Sequence, residues 1–144
     1  MIAVLLAPLA LAAAASVAVP PVDNEIEVIG NRLRSWRGKW KLRDGAVTCK
    51  TTRSTGDKAI DALGCDAMVE CIAPVAPQFT ALDEAKLKRA EAEQRANALL
   101  EAAKIGECIA ARRNDGIAAL AAARRAAKAD AAANATANAT GRAQ

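Results

Sequence analysis

The 144-residue chain has no histidine and no tyrosine, and only one phenylalanine and two tryptophans. Without histidine, Ser-His and Cys-His nucleophilic sites, histidine general bases and most catalytic metal sites are excluded. No Cys-x-x-Cys pair occurs, so the usual thiol oxidoreductase signature is missing. No glycine-rich phosphate loop or dinucleotide fingerprint is present. Asp61, Asp66 and Glu70 share one helical stretch. Carboxylates on the polar side of a helix read as solvated surface rather than as an acid/base pair. A non-enzymatic protein with no cofactor is expected.

The scarcity of aromatics also limits the core. Apolar residues make up 53% of the chain, and many of them are alanine. Alanine buries little area at roughly 25 cal/mol per Å². Small exported domains with thin cores are where disulfides are expected, and the four cysteines form an even set. Residues 1–19 carry no charged side chain, and residues 2–11 form an apolar run. Ser16-Val17-Ala18 places small residues where a signal peptidase reads them. Residues 1–18 are therefore expected to be a signal peptide cleaved after Ala18, with Ala15 as the near alternative. No Lys or Arg precedes the run, so an uncleaved anchor over residues 2–22 is the other reading. No cysteine follows the run, which argues against a lipid anchor. The expected location is periplasmic or secreted, and nucleic acid is not an expected partner.

Residues 19–24 read as a Pro-containing linker. Residues 25–29, Glu-Ile-Glu-Val-Ile, alternate with β-branched residues and predict a short strand ending at Gly30. Asn31 caps a helical turn through Trp36. Residues 39–43 and 46–50 flank Asp44-Gly45, the signal for a type I′ hairpin. The register then sets Arg43 against Ala46, Leu42 against Val47 and Trp40 against Cys49. Trp40, Leu42, Val47 and Cys49 share one face, and Lys39, Lys41, Arg43, Thr48 and Lys50 share the other. A helix over 57–72 follows, with Ile60, Leu63, Ala67 and Cys71 on its apolar face. Gly64 weakens it and allows a close approach.

Residues 73–77 read as extended. Thr80 and Asp83 resemble a capping box opening a long, exposed, Ala-rich helix that Gly106 bends. Asn114-Asp115-Gly116 ends that helix, and Asp115 caps a last one through Lys128. Residues 130–144 read as a disordered tail. The domain plan is thus 25–113 for a hairpin–helix domain with a long helix, 114–129 for a C-terminal helix, and 130–144 for the tail. The fold class is α+β.

Four cysteines allow three pairings. Cys49 with Cys65 joins the strand to the helix that covers it. Cys65 and Cys71 lie about 9 Å apart along one helix, beyond the roughly 7 Å Cα limit. Cys71 with Cys108 carries a structural demand. A straight helix from Ala81 to Cys108 is about 40 Å long, and the loop before it runs back only about 25 Å. The long helix must therefore bend or break. The pairing of Cys49 with Cys71 and Cys65 with Cys108 stays open. A zinc site is disfavoured, because no cysteines stand close together in sequence.

Asp44-Gly45-Ala46-Val47-Thr48-Cys49, followed by Ser54-Thr55-Gly56-Asp57, Ile60-Asp61 and Cys65, resembles the C-terminal domain of TonB-type energy transducers over residues 39–72. The resemblance implies a Cys49–Cys65 bridge and a hairpin packed on a helix. In that family a final strand docks outer-membrane transporters. Here Phe79 is followed by helical, Ala-rich sequence, so energy transduction is not carried over.

Residues 31–58 hold nine Lys/Arg against Asp44 and Asp57. The best candidate binding surface is the basic hairpin face, Lys39, Lys41, Arg43 and Lys50, with Trp36 and Arg37 beside it. The expected function is non-enzymatic contact with an envelope protein partner; the alternative is attraction to an anionic envelope surface of lipid or polysaccharide through the basic hairpin face.

Overall fold

In the computed structural model, which describes residues 24–141, the chain runs as helix, hairpin and then a succession of helices. The expected signal peptide (1–18) and all but the last residue of the expected linker (19–24) lie outside the described residues, as do residues 142–144. Among the described residues no helix is long and apolar enough to cross a membrane.

Helix α1 covers Asn24–Ser35 and overturns the expected strand at 25–29. Its buried residues are Ile29 and Leu33, four apart, followed by buried Trp36. That is a helical stripe facing the core. Ile26 and Val28, which suggested strand alternation, are exposed. Five alternating residues fit both periods, and packing chose the helix. Glu25 and Glu27 in the first turn and Arg32 and Arg34 in the last also complement the helix dipole.

Strands β1 (Arg37–Arg43) and β2 (Ala46–Arg53) form the two-stranded antiparallel sheet. Asp44 and Gly45 take φ of 50° and 75°, as a type I′ turn requires. The register pairs Arg43 with Ala46, Leu42 with Val47 and Trp40 with Cys49, as the sequence predicts.

Helix α2 (Lys58–Ile72) starts at Asp57, whose carboxylate accepts the Ala59 and Ile60 N–H groups. It buries Ile60, Gly64, Ala67, Cys71 and Ile72, while Leu63 is half-buried. The Cys49–Cys65 disulfide ties α2 to β2, and Cys71–Cys108 ties its end to a later helix.

Residues 73–77 are not extended. A 3₁₀ turn (Ala73–Val75) leads into helix α3 (Ala76–Glu84). Pro74 and Pro77 each stand in a first helical turn, where no N–H partner is needed. Thr80 lies inside α3 and donates to the Ala76 carbonyl at 3.2 Å, rather than capping a helix. The expected long helix is broken twice. Lys86 (φ 46°) separates α3 from α4 (Arg89–Ala102), and Lys104 (φ 50°) separates α4 from α5 (Ile105–Gly141). These breaks meet the demand of the Cys71–Cys108 bridge, whose Cα atoms lie 5.9 Å apart.

Helix α5 runs over Ile105–Gly141 without a stop at 114–116, and it takes in residues 130–141 of the segment expected to be a disordered tail. Gly106 sits in its first turn and bends nothing. Gly116 is a site of close approach, since a β-carbon there would meet Leu63 at 2.8 Å.

The core has two centres. Ile29, Leu33, Trp36, Ile60 and Ala121 form one between α1, α2 and α5. Cys71, Ile72, Val75, Phe79 and Ile105 form the other, with Trp40 packed on Phe79 at 5.1 Å between ring centroids. Met68 touches both.

Candidate functional site

The inner face of the hairpin is closed by α2 and α3, so the strands present their other face outward. β1 exposes Arg37, Lys39, Lys41 and Arg43 there. β2 exposes Thr48, Lys50 and Thr52, and Arg53 is exposed at its end. Lys39 stands directly opposite Lys50, and Arg37 opposite Arg53. Like charges set directly across a ladder oppose pairing by roughly half a kcal/mol. The threonines stiffen this face. Thr48 Oγ1 donates to the Lys41 carbonyl at 3.3 Å, and Thr52 Oγ1 to the Arg37 carbonyl at 3.2 Å.

Among the described residues no carboxylate neutralises the strands: Lys39, Lys41, Arg43, Lys50 and Arg53 form no ion pair. Several acids of the body are engaged elsewhere. Glu25 accepts from Lys128 at 2.7 Å, and Glu70 pairs with Arg112 at 3.4 Å. Asp57 caps α2 and also takes the Arg124 guanidinium. Asp61 accepts from the Ser54 hydroxyl and from the Thr55 N–H and hydroxyl, closing the Ser54-Thr55-Gly56-Asp57 turn.

Three of these acids titrate below their ordinary range. The Lys128 hydrogen bond holds Glu25 down, and the Ser54 hydroxyl holds Asp61 down. For Asp57, burial pushes upward, but hydrogen bonds from Arg124 and the Ile60 N–H outweigh it. Asp61 organises a turn, away from the other two carboxylates of its helix, Asp66 and Glu70. Asp66 and Glu70 both line an open groove of about 600 Å³ between α2 and α5, where Glu70 is ion-paired with Arg112. Among the described residues no group of His, Cys, Asp or Glu could hold a metal ion.

Of the candidate binding residues, Lys39, Lys41, Arg43 and Lys50 come together as expected. Trp36 does not join them, because only 3% of it is exposed. Its ring fills a slot between Gly38 and Gly64, and its Nε1 donates to Thr51 Oγ1 at 3.1 Å. Arg37 is exposed, but its guanidinium turns back to donate to the Arg34 and Trp36 carbonyls at 2.8 Å each.

Sequence reasoning did not single out Arg113, whose guanidinium lies 5.3 Å from the centroid of a Trp36 ring. Burial, and then the charge of Arg37, lowers the pKa of Arg113. Seventy-seven positions separate Trp36 from Arg113. No local pattern signals that contact.

Comparison with known proteins found no matching family model, no matching curated protein and no matching solved structure.

Proposed function

We propose that the protein is a non-catalytic binding module of an extracytoplasmic, oxidising compartment, and that its outward hairpin face holds the anionic groups of an envelope surface. Two disulfides in so short a chain suit such a compartment. One observation carries the reading: Lys39 faces Lys50 on a strand surface with no carboxylate partner among the described residues. The fold tolerates this repulsion, and an anionic group placed between the two ammonium ions relieves it. The likeness of residues 39–72 to TonB-type domains enters only as a local hairpin–helix pattern. Among the described residues the chain continues as helix after α2, so energy transduction is not part of the proposal.

Cosedimentation with vesicles tests the reading. Binding to anionic but not zwitterionic vesicles is expected, falling steeply as salt rises, because exposed charges are screened within about 10 Å at 0.1 M. A parallel arm with an anionic polysaccharide separates lipid from polymer. Absence of binding to either at low salt refutes the proposal.

A second reading is contact with an envelope protein. It is favoured by the outer edges of β1 and β2, neither of which pairs with a third strand among the described residues. Salt-insensitive capture of a single partner is the outcome that selects it.

A further inference from the structure

We infer that the groove between α1 and α5 is a binding site for a small amphiphilic oxyanion, an alkyl phosphate or alkyl carboxylate, with its head at Arg34 and Arg113 and its apolar body toward Ile117 and Ile26. This site lies on other elements than the hairpin face, and the inference stands without the vesicle-binding proposal.

The groove consists of two adjoining hollows of about 340 and 380 Å³. Both are lined by Gly30, Arg34, Asn114 and Ile117, which makes them continuous. Arg113 lines only the first, and Ile26 and Glu27 only the second. The ends therefore differ in chemistry.

At the Arg113 end no carboxylate lines the hollow. Arg113 is held by the face of Trp36 rather than by an acid, and its Nε is buried without a hydrogen-bond partner. The charge that perturbs it most is that of Arg37, of like sign. Arg34 forms no ion pair among the described residues. Two arginine residues lining one hollow favour an oxyanion there, because the planar guanidinium fork matches carboxylate and phosphate oxygens.

At the other end Ile26, Ile117 and Ala118 supply an apolar strip beside Glu27, Asn31 and Asn114. Ile26 is 43% exposed, and among the described residues Ile26 and Val28 are the exposed large apolar side chains. Ile117 continues this surface toward Arg34. Glu27 stands seven residues before Arg34 on α1, about 10 Å along the helix axis. It repels an anionic head at that end and so orients the ligand, head toward Arg113 and apolar body toward Ile26.

Gly30 forms the shared floor. A β-carbon there would meet Ile117 Cδ1 at 4.0 Å, an ordinary contact, so a larger side chain enters the groove without disturbing the core.

Calorimetric titration of the full-length chain with octyl phosphate, octanoate and inorganic phosphate, all below micellar concentrations, tests the site. Saturable one-to-one binding of octyl phosphate or octanoate is expected, and their relative affinity identifies the preferred oxyanion. Inorganic phosphate is expected to bind at least about tenfold more weakly, because it buries no methylene groups. Gly30→Leu abolishes binding by filling the groove, and Arg34→Gln and Arg113→Gln each weaken it by about tenfold. Circular dichroism melts confirm that the variants are folded. The inference is overturned if neither amphiphile binds saturably, if inorganic phosphate binds as tightly as octyl phosphate, if octylamine binds equally well, or if folded Gly30→Leu keeps wild-type affinity.

Discussion

The Trp36 indole lies against the backbone of Gly64, so close that a β-carbon at that position would stand 2.7 Å from ring atoms. Gly38 meets the same ring from β1. One large side chain thus fills a slot between helix and hairpin that only glycine leaves open. In a chain with so few aromatics, this slot joins α1, β1 and α2.

The first prediction follows from that contact. Gly64→Ala improves helix propensity by about 1 kcal/mol, but forcing the rigid indole to move costs more. A net loss of about 1–2 kcal/mol is expected in urea unfolding. Gly30→Ala, with its nearest contact at 4.0 Å, provides the control and is expected to gain up to about 1 kcal/mol. Equal effects of the two substitutions would contradict the slot.

The disulfides give the second. They close separations of 16 and 37 residues. In the chain-entropy model these correspond to about 3 and about 4 kcal/mol. Replacing Cys71 and Cys108 together by serine is therefore expected to cost slightly more than replacing Cys49 and Cys65. Peptide mapping without reductant reads the pairing directly, and a free Cys49 would undo the hairpin–helix staple.

The third concerns acid. Glu25, Asp57 and Asp61 have folded-state pKa values below their ordinary values of 4.5, 3.8 and 3.8. Groups depressed by folding contribute stability that is fully present above the unfolded pKa and is lost as pH falls through the folded one. Melting temperature is expected to hold from neutral pH to about pH 5 and to fall below about pH 4. Asp57→Asn reduces the acid-dependent part of that fall, since it removes both the α2 cap charge and the Arg124 partner. An unchanged acid profile in that variant would assign the loss to other groups.

The fourth sets stability against binding on one face. Lys39→Glu converts the repulsive Lys39–Lys50 pair into an attractive one. A gain of about 0.5 kcal/mol in unfolding free energy is expected, together with weaker sedimentation with anionic vesicles. A variant that gains stability and keeps full vesicle binding would separate this face from the proposed function.

The hairpin is legible in the sequence because its signals are local. Asp44-Gly45 demands two positive φ values, and alternation does the rest. The basic face follows from the register, so the pattern alone names Lys39, Lys41, Arg43 and Lys50. Trp36 has no such local signal, because the residues around it are Gly38, Gly64 and Arg113, drawn from three separate elements. The α1–α5 groove is invisible in the sequence for the same reason. It joins Arg34 to Arg113 across 79 positions.

By itself the sequence determined the hairpin register, the start of α2 at Asp57, and the condition that a Cys71–Cys108 bridge needs a broken helix. Each rests on backbone geometry or chain length, which neighbours in sequence control. Tertiary structure decided that residues 25–29 are helical, that the breaks fall at Lys86 and Lys104, and that α5 passes through Gly116. Short apolar patterns and Ala-rich stretches fit more than one conformation at similar cost. Burial of Ile29 and Leu33, the Cys71–Cys108 bond and the close approach of Leu63 to Gly116 favour one of them.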